Sequence, residues 1–177
     1  MSMLVLSASL NPESVSRVLA HEAAEVLKQE GVAASLADLR ELSLPFCDGA
    51  TAYRHASVAP AQQLVTAASG IIVATPIYNY DVNAALKNFI ELTGGAWKNK
   101  VVGFLCAGAG ASSYMSIMGL ANSLMLDFRC IVLPRFVYAS ESAVSDGKIT
   151  DPEIAKRVGE CVLATARLAD AVVAAKL

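Results

Sequence analysis

Four stretches of the chain are apolar almost throughout: "MLVLS" (3–7), "GIIVAT" (70–75), "KVVGFLCA" (100–107) and "RCIVLPRFVY" (129–138). Runs without an alternating polar face fit strands covered on both sides. Pro134 divides the last run. It has no N–H to give a sheet ladder, so the second half is expected to bend away or lie at an edge. "AASLAD" (33–38) is a weaker fifth strand. Between these runs the period changes. From Glu13 to Glu30 the apolar positions are Val15, Val18, Leu19, Ala23, Val26 and Leu27. That three-four spacing predicts a helix with one buried face, and Gly31 can stop it. Further helices are predicted at 59–68, 82–93, 112–127 and from 150 to 175. Gly94-Gly95 ends the third, and Thr150 or Asp151 before Pro152 and Glu153 caps the fifth. Strand and helix alternate five times, which predicts an α/β chain with an open parallel sheet and helices on both faces. One domain over 1–177 is expected. The two longest irregular stretches, 40–58 and 139–150, are expected to be loops around a site.

Bulk properties narrow the classes. A chain of 177 residues is long enough for one full core. Hydrophobic residues make up 55 % and charged residues 17 %, which argues against disorder. The net charge is −2 with no basic block, so nucleic acid is not an expected partner. No apolar stretch reaches the ~18 residues of a membrane-spanning helix. The richest, 161–175, is interrupted by Arg167 and Asp170, so no membrane partner is expected. The opening "MSMLVLSASLNPESVSR" has a four-residue apolar run with no Lys or Arg before it and does not read as an export signal. Cys47, Cys106, Cys130 and Cys161 are widely spaced and form no CxxC. Reduced thiols and a cytoplasmic protein are expected, with Cys106 and Cys130 in the core. His21 and His55 are the only histidines, too few for an expected zinc site or histidine-based triad. GxSxG is absent, which argues against a serine hydrolase.

In open parallel sheets, ligands gather outside the carboxyl ends of the strands where the strand order reverses. Three segments belong there. The first strand is followed by "SASLNPESVSR" (7–17), which offers Ser7, Ser9, Asn11, Ser14, Ser16 and Arg17 around a helix start. Hydroxyls, free N–H groups and the positive helix end suit a phosphate, although capping alone would use Ser14 or Asn11. It is not a Walker loop. The third strand is followed by "TPIYNYDVNAALKN", whose tyrosines could flank a planar ligand or simply lie at a surface. The fourth is followed by "AGAGASS" (107–113), where small residues let backbone approach a ligand. It lacks GxGxxG spacing and does not follow the first strand, so a Rossmann reading is weak. A phosphate cradle, an aromatic wall and a glycine floor on one edge suit one phosphorylated planar cofactor.

These segments resemble the NAD(P)H-dependent FMN reductase family, flavodoxin-like proteins that include quinone, azo-dye and chromate reductases. The family's first loop runs roughly G-S-L-R-x-x-S-x-N, and "ASLNPESVS" keeps Ser9, Leu10 and Ser14. Its second runs roughly P-E-Y-N-x-S-x-P-G-x-L-K-N-x-I-D, and "PIYNYDVNAALKNFIE" keeps Pro76, Tyr78, Asn79, Leu86, Lys87, Asn88 and Ile90. Departures are Ala8 for Gly, Asn11 for Arg, Ser16 for Asn, Ile77 for Glu, and Asn83-Ala84 for Pro-Gly. The resemblance implies a flavodoxin-like three-layer sandwich with a five-stranded parallel sheet in the order 2-1-3-4-5. It implies FMN, its phosphate at Ser9, Asn11, Ser14, Ser16 and Arg17, with Val15 also binding the cofactor. The ring would lie against Pro76, Ile77, Tyr78, Asn79 and Tyr80, with Gly108, Ala109 and Gly110 at its pyrimidine end.

The implied reaction is hydride transfer from NADH or NADPH to FMN and onward to a small acceptor such as a quinone, free flavin, azo compound or metal oxyanion. No catalytic side chain is expected, because the cofactor carries the chemistry. The alternatives are a flavodoxin-like electron carrier and a non-enzymatic ligand- or partner-binding module. The family's habit of assembling implies a homodimer or homotetramer. The stripe Tyr114, Met118, Ala121 and Met125, with Met115 beside it, fits either core packing or that interface.

Overall fold

The computed structural model describes residues 2–110 and 113–176. The central sheet is built on β1 (Met3–Ser7), β2 (Ala34–Asp38), β3 (Gly70–Tyr78) and β5 (Val101–Gly108), with β6 (Ile131–Val132) and β7 (Val137–Ser140) at one edge. The short β4 (Asp81–Val82) folds back on β3, and β8 (Val144–Ser145) pairs with β9 (Lys148–Ile149) in a separate hairpin. The helices are α1 (Val15–Gln29), α2 (Val58–Ala67), α3 (Ala84–Thr93), α4 (Met118–Phe128) and α5 (Pro152–Ala175).

The sheet order is β2-β1-β3-β5-β6, parallel along this path. It differs in detail from the expected 2-1-3-4-5 because β4 adds a strand and the edge strand is split. Ile131 and Val132 pair with Val101 and Val102, whereas Val137–Ser140 pair with Leu105–Gly108. Five steps along the edge cover three along β5. Pro134 sits in that slack, where no ladder donor is required.

Strand side chains alternate between two cores. Leu4, Leu6, Ile71, Val73, Val102 and Phe104 face α2, α3 and α4. Met3, Val5, Ile72, Ala74, Val101 and Leu105 face α1 and α5. Both faces are thus covered, the physical reason that β1, β3 and β5 read as unbroken apolar runs. At Gly103 a side chain would collide with Thr165 and Ile72, so glycine lets α5 approach β5. The observed α4 starts six residues after the expected 112. Ala111 and Ser112 lie outside the described residues.

Candidate functional site

A cleft of about 690 Å³ opens at the carboxyl ends of β1, β3 and β5, a size suited to a cofactor. Its floor is Pro76, Ile77, Ala107, Gly108 and Ala109, and Tyr78 stands at its rim. One wall is Asn11–Val15 at the start of α1, and the opposite wall is Glu141 with Val144–Gly147. β1 leads to β2 on one side and the chain returns to β3 on the other, so this is the reversal point of strand order.

The first loop holds its own shape. Ser9 Oγ accepts from the Asn11 N–H at 3.2 Å, and Asn11 Oδ1 accepts from the Glu13 N–H at 3.0 Å. Ser14 occupies the N-cap of α1, yet its hydroxyl bonds that of Ser16 at 2.8 Å and caps no backbone group. Among the described residues, the N–H groups of Val15 and Ser16 are consequently left without an intrachain acceptor. Uncapped N–H groups at a helix start bind anions, and a phosphate fits this set. Arg17 is engaged elsewhere. Its guanidinium pairs with the buried Asp38 carboxylate at the end of β2. Of the six cofactor residues expected in the first loop, Asn11, Ser14 and Val15 line the cleft, while Ser9, Ser16 and Arg17 support the loop from behind.

The "YNY" turn is a tight hairpin. Ile77 pairs with Val82 and Tyr78 with Asp81, which leaves Asn79 and Tyr80 as the two turn residues. Both are left-handed, with φ of 52° and 65°. A two-residue turn of this type normally takes Asn-Gly, so a tyrosine at the second position holds strain. Its ring is 59 % exposed and its hydroxyl donates to the Tyr114 carbonyl at 3.1 Å. Asn79 lines a neighbouring cavity beside α3 and α4. Gly108 is small for a different reason than expected: a side chain there would strike the Tyr138 hydroxyl. Gly110 has open space around it.

One site feature escaped the sequence reading, and a second was expected only as a loop around a site. Asn83, 5 % exposed, donates from Nδ2 to the Ala8 carbonyl at 2.7 Å. Its Oδ1 lies 3.2 Å from the Thr75 hydroxyl. It therefore ties the first loop, the end of β3 and the start of α3 together. The only sequence signal was a polar residue where the related motif has Pro. The β8–β9 hairpin supplies the far wall, turning at Asp146 and Gly147 with φ of 49° and 70°. Its Asp-Gly dipeptide was a legible turn signal. The 40–58 loop, expected beside the site, packs instead against α2 and α3, where Asn88 fixes it through the Cys47 N–H and the Pro45 carbonyl.

The cleft wall carries three carboxylates, Glu13, Glu141 and Asp146, and no Lys or Arg among the described residues. Cys106, Cys130 and Cys161 are buried and unpaired; burial pushes their thiols up, Cys106 to about 12 and the other two to about 11. None is poised as a nucleophile. Among the described residues no His, Cys, Asp and Glu group forms a metal site, and no helix is long and apolar enough to cross a membrane.

The fold recurs in known proteins. It superposes on the flavoenzyme NAD(P)H:(acceptor) oxidoreductase FerB from Paracoccus denitrificans with a TM-score of 0.77, at 20 % identity, covering 96 % of this chain and 97 % of that one. An archaeal flavodoxin aligns with a TM-score of 0.67 at 9 % identity, covering 96 % and all of that chain. Likeness at such low identity speaks for the fold. Sequence goes further: an NAD(P)H-dependent FAD/FMN reductase from Geobacillus thermodenitrificans is 30 % identical over 129 residues, covering 71 % of this chain and 69 % of that protein. The family model for NADPH-dependent FMN reductase matches residues 1–144. With the reversal-point cleft and the uncapped helix start, this decides among reductase, carrier and module: the chain belongs to the NADPH-dependent FMN reductase family, flavodoxin-like oxidoreductases that use FMN.

Proposed function

We propose that this protein moves hydride from NADH or NADPH to FMN held in the cleft, and then reduces a small acceptor such as a quinone, free flavin, azo compound or metal oxyanion. The observation that carries the reading is the convergence of an uncapped helix start, Pro76–Tyr78 at the end of β3 and the small Ala107–Ala109 segment on one cleft. FMN, when bound, supplies the two-electron chemistry that no side chain here provides. The protein's part is binding, orientation and exclusion of water. The Val15 and Ser16 N–H groups and the Ser14 hydroxyl receive the phosphate, with Ser9, Asn11, Ser16 and Arg17 keeping the loop in shape. Pro76, Ile77 and the exposed backbone of Tyr78–Tyr80 form the ring face. Gly108, Ala109 and Gly110 would lie near its pyrimidine end. Backbone N–H groups at that end stabilise negative charge without a titrating side chain.

The surface beside the cleft supports a homodimer or homotetramer. In the expected stripe, only Ala121 is buried; Tyr114, Met115, Met118 and Met125 are exposed, and Leu126 is 76 % exposed. The core side of α4 is instead Leu120, Ala121 and Leu124. An apolar surface of this kind next to Tyr78 and Tyr80 fits a second copy of the chain. Sedimentation at micromolar concentration is expected to show an assembly, and monomer alone would remove that reading. Four unpaired thiols fit the reducing cytoplasm.

The primary test is an absorbance spectrum after loading with FMN and removing the excess, repeated after anaerobic NADH and NADPH. A retained flavin band bleached by either nucleotide is the expected result and identifies the donor. A retained band that neither bleaches would sink the hydride-transfer reading.

A further inference from the structure

We propose that Glu13, Glu141 and Asp146 determine flavin choice: they oppose the phosphate of FMN, so the cleft takes riboflavin about as readily as its phosphate. The proposal rests on the FMN reductase reading of the same cleft. A flavin phosphate carries roughly −1.5 to −2 charge at neutral pH. Four observations bear on how this chain meets it. The first loop's cation, Arg17, is paired with Asp38 behind the loop. Position 11 is the neutral Asn11, whose Oδ1 accepts from the Glu13 N–H. The described walls of the cleft hold three carboxylates and no Lys or Arg. Among the described residues, the start of α1 stands against these, equivalent to about half a positive charge.

The tip of the β8–β9 hairpin, with Asp146 and Gly147, lies beyond residue 144, where the family match ends. The hairpin is held in place from behind, because the Thr150 N–H donates to the Ala143 carbonyl at 2.9 Å. Hydrogen bonds from Val15 and Ser16 still position a phosphate when one is present. The surrounding carboxylates cancel the gain in affinity that a charged phosphate normally brings. Glu13, Glu141 and Asp146 are exposed, so salt screens them, and the sign of the salt effect reports the balance of charge.

The test is titration of the purified chain with FMN and with riboflavin, followed by flavin fluorescence, at about 20 mM and about 300 mM salt. The two flavins are expected to bind within about threefold of each other at low salt, with FMN tightening severalfold at high salt and riboflavin staying level. The double variant Glu141→Gln with Asp146→Asn is expected to tighten FMN about threefold at low salt and leave riboflavin unmoved. Asn tolerates the left-handed turn position, and both changes keep side-chain size. FMN bound tenfold more tightly than riboflavin at low salt, and loosened by salt, would overturn the proposal while leaving the flavoenzyme reading intact. So would a double variant that leaves FMN affinity unchanged. Binding of neither flavin would overturn the flavoenzyme reading and this proposal with it.

Discussion

Tyr80 holds left-handed backbone strain in the turn that follows β3. Left-handed backbone costs an L-residue about 1–2 kcal/mol, and glycine escapes most of that cost. Tyr80→Gly relieves the strain while losing one exposed hydrogen bond to Tyr114, worth about 0.5–1 kcal/mol. Urea unfolding is therefore expected to show stability level with the parent or higher, and FMN titration a severalfold weaker complex. A loss above about 1.5 kcal/mol would mean that the ring is there for the fold. Asn83 is the reverse case. Asn83→Ala strips buried partners from the Ala8 carbonyl and the Thr75 hydroxyl, a cost of about 1–3 kcal/mol. Both the unfolding midpoint and FMN affinity are expected to fall together, since the same bonds hold the fold and the cofactor loop. The tyrosines of "YNY" were legible in sequence because a turn has no need of them. Asn83 was not, because its partners lie 75 and 8 residues away along the chain and meet it only in the folded molecule.

Elements differ in how completely they satisfy their own ends. α5 is closed: the Asp151 carboxylate accepts from the Glu153 and Ile154 N–H groups, at 2.9 and 3.2 Å, and Pro152 follows the cap. Asp151→Ala is expected to cost about 1 kcal/mol in denaturant unfolding, with FMN affinity changed less than twofold. α1 is open, because Ser14 turns to Ser16 and leaves the first N–H groups free. The two helices carry similar sequence signals, a polar residue before an amphipathic run. Only the rotamer of Ser14, set by its neighbour, separates a capped helix start from an uncapped one. The split edge strand was foreseeable at Pro134, whose missing N–H is local chemistry. The extra pairing of β4 with β3 was not, since a two-residue strand has no period to read.

For the whole molecule, the three buried thiols link stability to pH. Their folded values, about 11 for Cys130 and Cys161 and about 12 for Cys106, lie above the ordinary 9.0 because burial disfavours the thiolate. Above pH 9.0 the unfolded chain loses protons that the folded chain keeps, so their contribution is full below that value and falls as pH rises toward 11. Urea midpoints at about pH 8 and about pH 10.5 are expected to show this loss, and Cys106→Ala to lessen it. Taken as a whole, the sequence by itself determined the alternation of strands and helices, the parallel sheet with two covered faces, and the three segments at one edge. These follow from periodicity and turn chemistry, which act between near neighbours. The tertiary structure alone decided that Arg17 turns to Asp38, that Asn83 ties three segments, that 40–58 packs away from the cleft, and that the described cleft walls are acidic. Each depends on groups distant in the chain meeting in space, and on side-chain choices made only once those partners are present.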